Sequence, residues 1–146
     1  MGTDDFYKII GRVTVSLSRI DFLLSNIAVD VKLVPDYPEF YGKQNLKQKI
    51  TELKSKINSH FNESEIADAF INNLNRLDEL RQLRNQLVHA VTLQNSDEIM
   101  FYNFRTTSEG VKRNVTIVPF NDLAALDTEL INLHNDLYTL RKEHFK

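Results

Sequence analysis

Hydrophobic residues recur every three or four positions in four long segments of the chain. These segments cover residues 6–31, 46–61, 66–91 and 123–140. The spacing places the apolar side chains of each segment on one face of an α-helix. The sequence therefore predicts four long helices, with a loop at "PDYPEFYG" (residues 35–42), where two prolines and a glycine interrupt the pattern.

A different periodicity separates the third and fourth predicted helices. "EIMFYNF" and "VKRNVTIV" are rich in β-branched and aromatic residues, and "RTTSEG" lies between them. This composition predicts a β-hairpin over residues 98–118, to which the sequence assigns no role. The predicted fold class is mainly α: an antiparallel helical bundle of about four long helices, with the β-hairpin inserted before the C-terminal helix.

Polar residues indicate where two of the helices begin. "NESE" predicts Asn62 as the N-cap of the third helix, because Glu65 follows three residues later. "PFND" predicts Asn121 as the N-cap of the last helix.

Leucines of the last helix repeat every seven residues in two sets, Leu123, Leu130 and Leu137, and Leu126, Leu133 and Leu140. A coiled-coil or dimer contact has this pattern, and so does the core stripe of a helical bundle. The short run favours the core stripe.

Composition is typical of a compact globular domain. The 146 residues are 42% hydrophobic and 26% charged, so residues 1–146 are predicted to form a single domain around one core. The net charge of −2 provides no overall basic surface, so nucleic acid would have to bind a local patch. The N-terminal "MGTDDFYKII" does not resemble a secretory signal, and no apolar run reaches membrane-spanning length, so we expect a cytoplasmic location and no membrane partner.

An arginine interrupts the apolar face of the third predicted helix, in "LDELRQLRNQLVHA" (residues 77–90). On a helical wheel, Arg84 lies about 20° from the centre of the face that Leu77 marks. An unpaired buried guanidinium would cost several kcal/mol, so Arg84 must be paired or must line a cleft. We expect this face to pack against the first helix, with Asp21 within reach of Arg84.

His89 follows Arg84 by five residues. In one helix this spacing separates the two side chains by about 140° around the axis and about 7.5 Å along it. A single helix therefore does not direct both at one ligand, whereas two copies related by a two-fold axis can form a shared cleft. Asn85 and His89 are four residues apart, so they can contact each other.

"RNQLVH" (residues 84–89) resembles the R-x4-6-H motif of the HEPN superfamily (higher eukaryotes and prokaryotes nucleotide-binding), in which a polar residue, here Asn85, often follows the arginine. The long first helix with an acidic residue, Asp21 in "LSRIDFLLSNIA", is also similar. The resemblance implies metal-independent RNA cleavage at the cleft of a homodimer. A cognate antitoxin or nucleotidyltransferase protein is the partner that a toxin or phage-defence protein of this kind would have.

The resemblance also implies a role for each residue. Neutral His89 would help to remove the proton from a ribose 2′-hydroxyl, and an imidazole, which titrates near pH 6.5, suits that task. Arg84 would hold the phosphate and stabilise its developing charge, and Asn85 would orient His89 or the phosphate. The expected product is a 2′,3′-cyclic phosphate.

The same residues also fit a catalytically inactive, dimerising protein-interaction module. In that case Arg84 ties the third helix to the first through Asp21, Asn85 binds a loop, and His89 caps the helix end. Metal and cofactor chemistry is not expected. There is no cysteine, no two histidines are three or four residues apart, and no glycine-rich phosphate loop is present.

Overall fold

The computed structural model describes the backbone of residues 3–43, 45–89, 91–94 and 98–145, and the side chains of residues 5–43, 45–85, 106–112, 117 and 121–145. The elements in chain order are α1 (Thr3–Asp30), α2 (Tyr37–Tyr41), α3 (Leu46–His60), α4 (Glu65–His89), β1 (Val91–Gln94), β2 (Glu98–Thr107), β3 (Gly110–Pro119) and α5 (Phe120–His144). The predicted fold class is confirmed: the long helices α1, α3, α4 and α5 form a bundle, and β-strands are inserted before the C-terminal helix. Within these ranges, no helix is both long and apolar enough to span a bilayer.

One hydrophobic core joins the four long helices. The apolar stripe of α1 is buried along its whole length, at Phe6, Ile9, Val13, Leu17, Ile20, Leu24 and Ile27, and Val31, which follows the helix, is buried too. The leucines of α5 at 123, 126, 130, 133 and 137 are buried in the same cluster, so the seven-residue repeats form a core stripe. α5 lies against both α1 and α4, and α4 also lies against α3. The apolar face of α4 therefore shares the core with α1, but its closest neighbours are α3 and α5.

A tight turn at the end of α1 directs the chain into α2. Lys32 has a left-handed backbone (φ 62°), and the Leu33 N–H donates to the carbonyl of Ala28 at 2.9 Å, which closes the helix end. The predicted loop at residues 35–42 then contains the short helix α2. Asp36 caps α2 by accepting a hydrogen bond from the Glu39 N–H at 3.1 Å, and a proline in the first turn is compatible with a helix start.

The junction between α3 and α4 corrects the predicted N-cap. Asn62 has φ 54°, and the Glu63 N–H donates to the Asn58 carbonyl at 2.9 Å, so Asn62 closes the end of α3. The N-cap of α4 is Ser64, whose hydroxyl accepts from the Ala67 N–H at 3.4 Å. Asparagine tolerates the left-handed region, and that preference explains its position better than the capping box.

The inserted β-structure is larger than the predicted hairpin. β1, β2 and β3 form an antiparallel sheet in that order, and β1 pairs with β2 from Val91 opposite Tyr102. The assignment of Val91 to the preceding helix was therefore wrong. β2 and β3 continue through most of the predicted loop, up to the Thr107–Gly110 pair. The prediction of Asn121 as an N-cap was also wrong, because α5 already begins at Phe120.

Candidate functional site

Arg84 is half-buried and lines an open groove of about 180 Å³. The groove lies between α1, α4 and the start of α3. Its lining residues are Thr14, Leu17, Ser18, Asp21, Lys43, Leu46, Lys49 and Arg84. A guanidinium on this helix face has to be paired or has to line a cleft, and the structure shows the cleft.

Asp21 forms an ion pair with Lys49 of α3. Lys49 Nζ donates to Asp21 Oδ1 and Oδ2 at 3.0 Å each and to the carbonyl oxygen of Tyr41 at 3.1 Å. The side chain of Lys49 is 2% exposed and that of Asp21 is 24% exposed. Three acceptors match the three ammonium hydrogens, so the buried cation is fully hydrogen-bonded. The carboxylate expected to pair with Arg84 thus shares the groove with it but is bonded to a different cation.

The second lysine of the groove also has a carboxylate partner. Lys43 Nζ lies 2.8 Å from Glu52 Oε2, and both side chains are about one-third exposed. This pair is accessible to water, so its contribution to stability is small. The position of the pair is more relevant to the groove, because it keeps the ammonium group of Lys43 in the groove lining.

Arg84 differs from the two lysines. Its Nε is buried and has no hydrogen-bond partner within the described part of the chain. Asp21 neutralises Lys49, and Glu52 neutralises Lys43. Among the described residues, Arg84 is therefore the cation of the groove lining that has no carboxylate partner, and its planar guanidinium carries several N–H donors. A groove of this kind is suited to an anion that accepts hydrogen bonds, such as a phosphate or a carboxylate.

The other two predicted site residues lie on the same helix. Asn85 follows Arg84 and is half-buried. The backbone of α4 is helical through His89, so the divergence of about 140° between residues 84 and 89 holds for this helix. The side chain of His89 lies outside the described residues, as does the expected contact between Asn85 and His89.

An aromatic cluster beside the groove was not predicted from the sequence. It consists of Phe22 of α1 with Tyr37 and Tyr41 of α2. The rings of Tyr37 and Tyr41 meet Phe22 edge-on, with centroids 5.5 and 6.2 Å away. All three side chains are nearly half exposed, at 48%, 48% and 44%. The prediction of a loop at residues 35–42 gave no reason to place these tyrosines next to α1.

Lys49 was also missed, although the sequence contains a signal for it. Positions 46, 49, 50 and 53 form one helical stripe, so Lys49 interrupts an apolar face just as Arg84 does. The sequence of α3 therefore predicts a buried lysine that needs a carboxylate.

Within the described residues, no group of three or more histidine, aspartate or glutamate side chains is arranged to hold a metal ion. Comparisons of the chain with models of protein families, with curated proteins and with solved structures find no match. The resemblance of residues 84–89 to the HEPN motif therefore stays a prediction, and a function has to be argued from the groove.

Proposed function

We propose that the protein is a HEPN-like, metal-independent endoribonuclease that acts at the cleft of a homodimer. The observation that carries the proposal is the state of Arg84, a half-buried arginine that lines an open groove and has no hydrogen-bond partner for its Nε among the residues that the structure describes. A guanidinium that lines an open groove without a carboxylate partner gains hydrogen bonds when a ligand in the groove supplies the acceptors. An RNA phosphate does so through oxygens that match the guanidinium donors.

The ion pair between Asp21 and Lys49 supports this role. If Asp21 were bonded to Arg84, a phosphate would have to displace a carboxylate. Because Lys49 binds Asp21 through both carboxylate oxygens, this carboxylate does not compete with the substrate for the guanidinium. Arg84 then holds the scissile phosphate and stabilises the charge that develops on its oxygens.

His89 and Asn85 complete the proposed site. His89 removes the proton from the ribose 2′-hydroxyl, the hydroxyl oxygen attacks the adjacent phosphorus, and the bond to the 5′-oxygen breaks as that oxygen takes a proton from water. This leaves a 2′,3′-cyclic phosphate and a free 5′-hydroxyl. Because residues 84 and 89 diverge on α4, Arg84 of one copy works with His89 of the other across a two-fold axis. Asn85 orients His89 or the phosphate.

The experiment is an RNA cleavage assay with excess chelator. We expect cleavage that leaves cyclic phosphate ends, that fails on DNA and on RNA with methylated 2′-hydroxyls, and that is lost in His89→Ala. The matched control is His60→Ala, since His60 is exposed in the last turn of α3, and the groove is lined by the start of that helix. Intact RNA after incubation with the purified dimer, over varied sequences, would refute the nuclease.

A cellular role follows from the proposed activity. An unspecific ribonuclease harms the cell that makes it, so the protein fits the toxin of a toxin–antitoxin or phage-defence pair, held inactive by an antitoxin or a nucleotidyltransferase. Co-expression with the product of a neighbouring reading frame tests this role. The partner should restore growth that the wild-type chain inhibits and that His89→Ala leaves unaffected.

A second candidate function is a catalytically inactive, dimerising HEPN-like module that binds a partner protein. The observation that favours it is β3, an edge strand of the sheet that exposes Val111 (69%) and Ile117 (54%). These residues are six apart, so both side chains lie on one face of the strand. Exposed apolar residues on an edge strand favour contact with another protein. Val111→Lys should then weaken a partner complex and leave RNA unaffected.

A further inference from the structure

The aromatic cluster and the Arg84 groove are adjacent on the surface. A second groove, which includes Val15, Phe22 and Tyr41, shares Thr14 and Ser18 with the groove that Arg84 lines. Thr14 and Ser18 are one helical turn apart on α1. The exposed rings therefore begin where the cationic groove ends.

Lys49 fixes the two grooves relative to each other. Its Nζ binds the carbonyl oxygen of Tyr41 at 3.1 Å and lies 5.5 Å from the centroid of the Tyr41 ring. The same Nζ binds Asp21, the residue before Phe22. One buried ammonium group thus connects α1, α3 and the end of α2, so the rings and the groove form a rigid unit.

The neighbouring charges distinguish this apolar surface from an ordinary protein-binding patch. Arg19 lines the ring side, and Lys43 and Arg84 line the groove side. Lys43 is paired with Glu52, and the chain as a whole has a net charge of −2, so Arg19 and Arg84 make this surface locally cationic. Aromatic rings beside cations are the combination that binds single-stranded nucleic acid, because rings stack on bases while cations hold phosphates.

We propose that the cluster of Phe22, Tyr37 and Tyr41 is a base-stacking subsite for single-stranded RNA whose phosphate occupies the Arg84 groove. This inference rests on the proposed function and adds the substrate class. A base within a duplex is covered on both faces by its neighbours, so the subsite selects an unpaired base next to the held phosphate. It requires no particular base, because every base has a π-face.

The experiment compares two fluorescent oligonucleotides by anisotropy. One is a short single strand, and the other is the same strand without bases; both carry 2′-O-methyl groups, which block cleavage. The variant is Phe22→Leu/Tyr37→Leu, which keeps apolar side chains but removes two rings. The matched control is Tyr7→Leu, since Tyr7 is also an exposed aromatic residue of α1 (64%) and lies about 22 Å along the helix from Phe22.

We expect the double variant to lose roughly 5- to 100-fold in affinity for the strand with bases, the range expected for lost stacking. Its affinity for the abasic strand should change less than about twofold, and Tyr7→Leu should bind both strands like the wild type. Arg84→Gln should weaken both strands equally, because they carry the same phosphates. A wild-type protein that binds the two strands equally well would overturn the subsite.

Two further measurements locate the bound RNA on the protein and check the oligomeric state of the double variant. Photocrosslinking of a 5-iodouridine strand to the wild-type protein should map to Phe22, Tyr37 or Tyr41, and crosslinks confined to the β-strands would overturn the proposal. The double variant should sediment as the wild type does. A smaller species would show that the rings contact a second copy of the chain or another protein surface.

Failure of the subsite and failure of the nuclease are distinguishable. If RNA with free 2′-hydroxyls is cleaved but both strands bind equally, the nuclease stands and the stacking subsite is refuted. If stacking is found but no RNA is cleaved, the nuclease is refuted and the protein binds single-stranded RNA without cutting it.

Discussion

Replacing Asp21 by asparagine removes the charge that balances a buried lysine. Lys49 Nζ makes three hydrogen bonds, of which two are to Asp21, and its side chain is 2% exposed, so water does not replace the lost acceptor. Removal of one partner from a buried ion pair costs about 3–5 kcal/mol. Asp21 is 24% exposed, which screens the pair, so we expect a loss near the lower limit, about 3 kcal/mol in the free energy of unfolding.

The double variant Asp21→Asn/Lys49→Met tests the cause of that loss. It removes both charges and keeps a long apolar stem at residue 49, so it should be about 1–2 kcal/mol more stable than Asp21→Asn alone. The assay is urea unfolding followed by far-ultraviolet circular dichroism at one fixed protein concentration. The matched control is a double-mutant cycle of Asp21→Asn with Arg84→Met. The losses in free energy of unfolding of the two single variants should add to that of the double variant within about 0.5 kcal/mol, because Asp21 is not bonded to Arg84.

The reasoning would be refuted by a loss below about 1 kcal/mol in Asp21→Asn, or by a double variant no more stable than that single one. Strong coupling of Asp21 to Arg84 instead of Lys49 would show that the guanidinium already has a protein partner. A phosphate would then have to displace that partner before it could bind Arg84.

Three further predictions concern the bundle. Leu77→Ala should cost about 2–5 kcal/mol in urea unfolding, because Leu77 is fully buried, and a negligible loss would mean that the core face of α4 is wrong. Ser64→Ala should cost about 0.5–1 kcal/mol, since it removes the cap of α4, and an unchanged unfolding midpoint would reject that cap. Arg76 hydrogen-bonds Glu79 and also binds Glu129 of α5, which together raise the pKa of the guanidinium, yet the link is exposed. Arg76→Ala should therefore cost less than about 1 kcal/mol, and a larger loss that persists in high salt would contradict a surface pair.

Hydrophobic periodicity predicted most of the bundle, because the apolar face of a helix is removed from water only when it packs against other apolar side chains. The apolar stripe that the pattern placed on α1 is buried, and so are five of the six leucines in the repeats of α5. Leu23, Ser25 and Ala28 of α1 are also buried, although the pattern did not assign them to the core. The errors lie where local and tertiary preferences compete. Asn62 closes one helix instead of opening the next, and Val91 continues the helical spacing but pairs with β2.

The candidate site was only partly predictable for a related reason. Arg84 was identified because a charge on an apolar face needs an explanation, and the structure places it at a groove. Its relation to Asp21 was not predictable from α1 and α4 alone, because Lys49 enters from α3. The aromatic cluster depends on how α2 folds back on α1, and a five-residue helix leaves no periodic signal in the sequence.

The central claim is that Arg84 of one copy and His89 of another share a cleft. It can be tested with two variants that we expect to be inactive on their own, Arg84→Ala and His89→Ala, refolded together in equal amounts. Half of the dimers formed are then mixed, and each mixed dimer contains one complete cleft of the two. A mixture of Arg84→Ala with Arg84→Gln is the control, because neither chain supplies the arginine.

The measurement is the initial rate of RNA cleavage by the refolded mixture. We predict about one quarter of the wild-type rate for the mixture of the Arg84 and His89 variants, and no cleavage by the control mixture or by either variant alone. The presence of dimers in the mixture of Arg84→Ala with His89→Ala is verified by sedimentation. If this mixture is then as inactive as either variant alone, the shared cleft is contradicted.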